Sequence, residues 1–470
     1  MGNANSGQLW GIPTDALVVI FLALIALGIA AATDPDAFAT IALVLVLSAL
    51  FIAVFRNFTD EKTFVTRVFL LALAARMVFG ILMHAADLRE FFAGDANTYD
   101  FYGTILRDYW FGTTTAPSWA IHRASDMSGS GWGMFYLVAG LYTVFGRNIL
   151  AAQSFCAVVG AATAPMVFYC SQRIYGNLRS AKAAAVIVAV FPAFVIWSGQ
   201  LLKDGLIIFL LVLAMTMVLV MQEKIRAGAL AILGIALAGI LTLRFYIFFM
   251  VVAAVVGSFV IGVTNSARSM IARTVILAVL GLGLTYIGVT SIATGDFDRY
   301  ANLEQLQNSR LDQARTGKSG YAADADVSTT EGVITVLPVG FVYLMFAPFP
   351  WAAKNLRQAI PIPEVLVWWA MMPLLFSGLV YSLRHRLRKS LPILLFSLML
   401  TLVYSVSQGN VGTAYRQRTQ IQVFLVIIIA VGWGLYKEKQ EDKRLANLHH
   451  RALVDAALRS RIEDRSERIG

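Results

Sequence analysis

The ionisable residues able to act on a substrate are few in this chain, and most stand at the edges of apolar runs. Asp95 follows Gly94 and opens the stretch GDANTYDFYG; Lys203 and Asp204 interrupt SGQLLKDGLIIF; Arg244 sits inside LTLRFYIF; Arg416, Arg418 and Gln420 fall in TAYRQRTQIQVF. A carboxylate within hydrogen-bond reach of a hydroxyl can take its proton as the oxygen attacks. Arginines and lysines at membrane depth suit the phosphate of a lipid-phosphate ligand, which a guanidinium can grip with paired N–H groups. Each acid and cation also has a structural reading. Asp95 and Asp204 could cap helices, Lys203 could pair with Asp204, and each cation could snorkel to headgroups. Asp100 lies about 140° around a helix from Asp95, which disfavours a dyad of the two. His122, beside Arg123 and Asp126, could be an acid, a base or a phosphate ligand, or simply a surface histidine. The pairs Asp34/Asp36, Asp296/Asp298 and Asp324/Asp326 have the one-residue spacing of some divalent-metal sites, a very common pattern. The chain has no P-loop, no G-x-G-x-x-G after a strand, no G-x-S-x-G and no His/Cys metal cluster, which argues against nucleotide hydrolysis.

The elements that must position these residues follow from composition. Of 470 residues, 58% are hydrophobic and 14% charged, against roughly 25% charged in an ordinary soluble domain. Such a chain must meet lipid, and its apolar material runs from residue 14 to 436 without a soluble stretch of domain size, which excludes a soluble enzyme with one anchor. A transmembrane barrel is excluded by segments such as GLIIFLLVLAMTMVLVMQ, residues 205–222, which do not alternate apolar and polar positions. Helical spans are expected near 14–33, 37–55, 66–85, 148–171, 183–198, 205–222, 227–243, 246–263, 274–293, 364–382, 391–407 and 420–436, about twelve in all, with two long outside loops between them.

Orientation follows from Lys and Arg, which stay in the cytoplasm. Arg56, Lys62 and Arg67, then Arg173, Arg179 and Lys182, then Lys224 and Arg226, then Arg268 and Arg273, then Arg384, Arg386, Arg388 and Lys389 all fall on one side if both termini are cytoplasmic. The net charge of +10 is thereby placed against anionic headgroups and requires no nucleic acid. Met1–Pro13 lacks the basic start of a secretory signal, so the first helix is expected to be retained. The charged tail 437–470 reads as a partly helical or disordered cytoplasmic extension. Cys156 and Cys170 lie about 21 Å apart along one helix and cannot bridge each other. No repeat of the halves is visible, which weakens a transporter built on inverted repeats. Residues 86–147 and 294–363 are then long outside loops carrying short interfacial helices, one of them the apolar segment ending at Gly146, expected to lie along the membrane surface.

Several stretches together carry a family resemblance. A membrane helix leads into an outside loop opening GDANTYDFYG; WGMFYLVAGLYTVFGRNILAAQSFCAVVGAATAPMVFYCSQRIYG follows, and then AAAVIVAVFPAFVIWSGQLLKDGLIIFLL. This succession, over roughly 66–225, resembles the amino-terminal module of the GT-C glycosyltransferases, which include protein O-mannosyltransferases, lipid A aminoarabinose transferases and oligosaccharyltransferases. The resemblance implies an all-α polytopic enzyme of the bacterial inner membrane, with its site facing the exterior and a sugar donor on a polyprenyl phosphate. It implies a catalytic Asp at Asp95 and a second acid at Asp204. Lys203, Arg244, Arg416 and Arg418 would hold the phosphate, His122 would bind substrate, and Tyr99, Tyr102 and Trp132 would offer stacking surfaces for a sugar. It divides the chain into two added helices (1–65), the catalytic module (66–225), a carboxy-terminal membrane region (226–436) and the tail. The acceptor would be a glycan or a lipid-linked glycan in cell-surface or exopolysaccharide synthesis, and the transfer would invert the anomeric centre. The sequence departs from the family in its two preceding helices and in Ala96, where the family carries an acidic residue; the second departure leaves open whether a divalent metal is used. A polymerase or ligase of lipid-linked glycans is the neighbouring reading, and a flippase of such lipids is the reading from another class.

Overall fold

The computed structural model describes residues 8–9, 12–13 and 37–467, apart from 93, 225, 262–280, 283, 287, 289–291, 296–301, 317–318, 323–324 and 354. Among the described residues the protein is helical, save for a pairing of Gln8–Leu9 with Ile12–Pro13 and one bridge between Gly320 and Asn410. Six helices are long and apolar enough to cross a membrane, or eight if two bent pairs count as one span each. The chain is an integral membrane protein of all-α architecture.

The first half runs α1 (Ala37–Arg56), α2 (Lys62–Ala85), α3 (Arg89–Phe92), α4 (Asp95–Trp110), α5 (Ser118–Ser125), α6 (Trp132–Phe145), α7 (Ile149–Tyr175), α8 (Leu178–Val190), α9 (Pro192–Ser198), α10 (Lys203–Glu223), α11 (Ala227–Leu243) and α12 (Phe245–Ile261). The second runs α13 (Leu303–Thr316), α14 (Thr330–Phe346), α15 (Leu356–Ala359), α16 (Ile362–Ala370), α17 (Met372–His385), α18 (Leu387–Ser407) and α19 (Val411–Glu467). The expected windows 37–55, 66–85, 148–171, 205–222, 391–407 and 420–436 fall on the six long helices, and 183–198 and 364–382 on the bent pairs. Windows 227–243 and 246–263 fall on helices of 17 residues. Window 14–33 lies outside the described residues, as does most of 274–293.

Centre and periphery separate by burial. The apolar window of α7 is 83% buried and packs on α2, α8 and α10, whereas that of α1 is 28% buried and presents most of its surface to lipid. α7 is sharply bounded: Asn148 Oδ1 accepts the Ala151 N–H at 2.8 Å at its start, and Gly176, with φ 69°, closes its end. Gly supplies that left-handed turn without strain. Asn177 then caps α8 by accepting the Ser180 N–H at 3.0 Å. α8 and α9 meet at 52°, because Pro192 has no N–H to continue the helix. The carbonyls freed there are taken by Arg76 of α2, which donates to Ala189 O at 3.0 Å, Val188 O at 3.3 Å and Ser198 Oγ at 2.7 Å. That bend carries α9, and with it Trp197, to the end of α10 that begins at Lys203.

The basic loops gather at one end. Arg173 and Lys389 both reach Glu223, at 2.7 and 3.8 Å, Lys182 reaches Glu61 at 2.8 Å and Arg179 reaches Glu441 at 2.9 Å. The stretch 294–363 is more than a loop: α14 is an apolar helix, and its length of 17 residues and its internal Pro338 kept it below the expected span pattern. It packs on α18, with Gly340 against the Ser405 carbonyl. It does not reverse the order of the sides, since Lys389 still stands beside Glu223. Two further expectations change. The start of the tail joins the last span in one helix, α19, that runs to Glu467. The segment ending at Gly146 is α6, whose buried face (Phe135, Val138, Tyr142) belongs to the central core and packs on α4.

Candidate active site

At the end opposite the basic loops, one arginine joins two carboxylates from distant parts of the chain. Arg416, in the second turn of α19, donates from Nη1 to Asp95 Oδ2 at 2.7 Å and from Nε to Asp204 Oδ2 at 2.7 Å, with Nη2 2.6 Å from the same oxygen. Arg244, at the turn between α11 and α12, donates from Nη2 to Asp204 Oδ1 at 3.1 Å and from Nη1 to Tyr404 Oη at 3.3 Å; Tyr404 in turn donates to Gln420 Oε1 at 2.7 Å. Both acids open helices, yet neither caps one: Gly94 and Leu202 hold the cap positions, and no side-chain cap bond forms at either end. Their charge still lies at the favourable N-terminal end of each helix dipole.

The two acids differ in access. The Asp95 side chain is 50% exposed and Asp204 is 0% exposed. A fully buried carboxylate needs its partners to remain charged, and Asp204 has two guanidinium groups, while Asp95 has Arg416 alone and a free edge. Lys203 turns away from Asp204, Nζ lying 3.4 Å from Ser130 Oγ. Successive helical residues point about 100° apart, so neighbours in sequence do not share a direction.

These groups stand around a cavity of about 1000 Å³ lined by Asp95, Lys203, Arg244, Arg357 and Arg416, with Trp197 as one of its aromatic walls. Asp95 is the one carboxylate among the lining residues. Arg416 also lies 5.6 Å from the Trp197 ring. The stretch 294–363 supplies further walls, among them Ser319, Pro348 and Arg357. Arg357 of α15 donates to Glu90 O at 2.8 Å and sits 5.1 Å from the Phe91 ring, tying that stretch to the stretch 86–147. Tyr321 N donates to Gly409 O at 2.9 Å and Val411 N to Ser319 O at 3.0 Å, fixing the entry to α19. Arg244 is held in its charged form: burial opposes this, but Tyr246, Asp204 and Tyr404 outweigh it.

Other sequence candidates lie elsewhere. Arg418 is fully buried behind the cavity, where its Nη1 donates to Met345 O at 3.0 Å and Ala347 O at 2.8 Å at the end of α14. Tyr99 is buried against Phe135, with its hydroxyl pKa raised by burial and by Asp95. Tyr102 packs on the same Phe135, and Trp132 on Tyr136. The aromatic walls are instead Phe91, Trp197, Tyr246 and Tyr415. His122 is exposed on α5, away from the cavity lining. Asp100 is bound to Arg147 at 2.6 Å and to Tyr142 at 2.7 Å, in no dyad with Asp95. Arg357, Tyr246 and Trp197 were not singled out beforehand; the basic KNLRQ in the second loop and the FYIFF after Arg244 were the available signals.

The donor set does not fit a divalent cation. No group of three His, Cys, Asp or Glu side chains stands together among the described residues, and guanidinium nitrogens engage the carboxylates of Asp95 and Asp204. Asp326 accepts the Ser328 N–H at 2.8 Å and is not among the cavity residues. Its neighbour Asp324 lies outside the described residues, as do Asp34/Asp36 and Asp296/Asp298.

Residues 131–291 match the family model of dolichyl-phosphate-mannose-protein mannosyltransferases. No curated protein matches the chain. Among solved structures it is similar to ArnT from Cupriavidus metallidurans, solved bound to undecaprenyl phosphate, at 16% identity and TM-score 0.45 over 71% of this chain and 55% of that one. It is also similar to the archaeal oligosaccharyltransferase AglB from Archaeoglobus fulgidus, in complex with an inhibitory peptide and a dolichol-phosphate, at 14% identity and TM-score 0.42 over 74% of this chain and 47% of that one. The chain thus spans about half the length of these structures. The family match falls on the segment that contains Lys203, Asp204 and Arg244, and that segment is similar to the membrane mannosyltransferases the model describes.

Proposed function

We propose that this protein transfers a sugar from a polyprenyl-phosphate carrier to a hydroxyl of a glycan or lipid-linked acceptor, with inversion, on the extracytoplasmic side of a bacterial inner membrane. The observation that carries the reading is the bridge from Arg416 to Asp95 and Asp204 in a cation-lined cavity.

The roles follow from exposure. Asp95, paired with Arg416 and open on one edge, takes the proton as the acceptor oxygen attacks the anomeric carbon. The bond from that carbon to the phosphate oxygen breaks on the opposite face, and the electron pair leaves with the carrier phosphate. Charge grows on that phosphate as the bond lengthens, and fixed cations aimed at it lower the barrier. Arg416, Arg244 and Lys203 supply them; Arg418 takes no part. Asp204, out of reach of substrate, positions Arg416 and Arg244. Phe91, Trp197 and Tyr246 offer faces for the sugar or the first isoprene units. The catalytic module proposed over 66–225 is therefore incomplete alone, because Arg244 and Arg416 come from 226–436.

The test is purified protein in lipid nanodiscs given a panel of polyprenyl-phosphate sugars, with release of carrier phosphate as readout. Release that depends on an acceptor and on Asp95 supports the reading. Transbilayer movement of the lipid without release, in wild type and Asp95→Asn alike, would assign the cavity to a flippase.

A further inference from the structure

A second pocket, of about 200 Å³, shares no lining residue with the first. It is walled by His84 in the last turn of α2, Arg89 of α3, Asp100 of α4, and the residues Arg147, Asn148, Ile149 and Leu150 where α7 begins. Asp100 is already engaged: Tyr142 donates to Oδ1 at 2.7 Å and Arg147 donates from Nη2 to Oδ2 at 2.6 Å. Among the described residues Arg89 forms an ion pair only with Asp87, at 3.1 Å, and that carboxylate is 84% exposed. The Nε of Arg89 and the Nδ1 of His84 are buried and make no hydrogen bond among the described residues. Buried polar nitrogens without partners are costly, and an added acceptor removes the cost. The first turn of α7 adds to the pull, since the opening N–H groups of a long helix lack partners within it and attract anions.

The apolar surroundings indicate what carries the anion. Leu71, Val78 and Leu82 of α2 are 44%, 57% and 58% exposed. Their spacing of seven and then four residues forms one lipid-facing stripe, which ends at the level of His84 but on the opposite face of α2. The end of the stripe marks where α2 leaves the hydrocarbon, so the pocket stands at the depth of the lipid headgroups. We infer that the pocket binds the phosphate of an anionic phospholipid from the leaflet on the side of the first cavity, with Arg89 and Arg147 as its principal ligands and His84 as a further hydrogen-bonding partner. The site does not depend on the proposed transfer reaction. It is nonetheless joined to it, because Asp100 stands on the helix that Asp95 opens.

The experiment reconstitutes the whole protein in nanodiscs of phosphatidylcholine and phosphatidylglycerol in equal parts, then counts retained lipid by native mass spectrometry after detergent exchange. Wild type is expected to keep phosphatidylglycerol in preference to phosphatidylcholine. Arg89→Gln should lower that retention about tenfold, the effect of losing one charge-assisted contact. An unchanged melting temperature will show that this variant folds. Arg147→Lys, which keeps the charge near Asp100, should fall less than Arg89→Gln. Lys203→Gln, in the first cavity, should retain the lipid at the wild-type level. Equal retention by wild type and Arg89→Gln overturns the inference. Displacement of the lipid by inorganic phosphate also overturns it, since the pocket would then serve a soluble anion.

Discussion

Arg416 and Asp204 meet in the interior at 2.7 Å although 212 residues separate them, and the same guanidinium holds Asp95 at the mouth of the cavity. The contact makes the last span part of a site whose acids come from the first half of the chain.

Asp95→Asn should lower kcat about a hundredfold to ten-thousandfold, the usual worth of a general base, while donor binding stays within a few fold. Steady-state release of carrier phosphate, beside a direct binding measurement on the same preparation, checks this. An equal loss in both would mean that Asp95 holds the donor instead.

Arg416→Ala leaves Asp204 with Arg244 alone at full burial. Breaking a buried pair costs about 3–5 kcal/mol, so the melting temperature should drop by several degrees. Adding Asp204→Asn should recover part of that drop without restoring turnover. A double variant no more stable than Arg416→Ala would show that the charge on Asp204 is not what the arginine offsets.

Arg418→Met should destabilise the protein, because the carbonyls of Met345 and Ala347 lose their donor. Its KM for the lipid donor should stay at the wild-type level, whereas Arg244→Met should raise it. Melting curves and donor titrations separate the two arginines.

Prolonged treatment with a chelator should leave turnover unchanged, given that the carboxylates of Asp95 and Asp204 are engaged by guanidinium groups. Loss of activity restored by a divalent cation would place a metal where those pairs now stand.

Cysteines introduced at two exposed positions test orientation. His122→Cys should react with an impermeant maleimide added to intact cells, and Lys443→Cys only after the membrane is opened. The reverse pattern would put the cavity in the cytoplasm.

The membrane class and most of the spans were legible because apolar runs of span length leave one fold class open. α14 was not, since an apolar helix of 17 residues interrupted by Pro338 falls below the length on which that reading depends. Asp95, Asp204, Arg244 and Arg416 were marked by a simple cost, that of charge at the edge of lipid, and the structure brings them together. The same cost marked Arg418, and here residue type cannot decide. Two residues on, a helix has turned about 200°, so one arginine faces the cavity and the other the packed interior, and only knowledge of the facing surface tells them apart. Arg357 and Trp197 were hidden for another reason: neither is unusual where it stands, and each matters through a loop or a bend that carries it to the cavity.

The helix that carries Arg416 continues without a proline through 57 residues to Glu467. A one-piece rod has a single axial rotation and a single height, so the exposed end and the arginine that lines the cavity cannot be set independently. A partner that twists or draws the exposed end moves Arg416 against Asp95 by the same angle and the same rise, which makes the tail a shaft whose far end is the arginine that bridges Asp95 and Asp204.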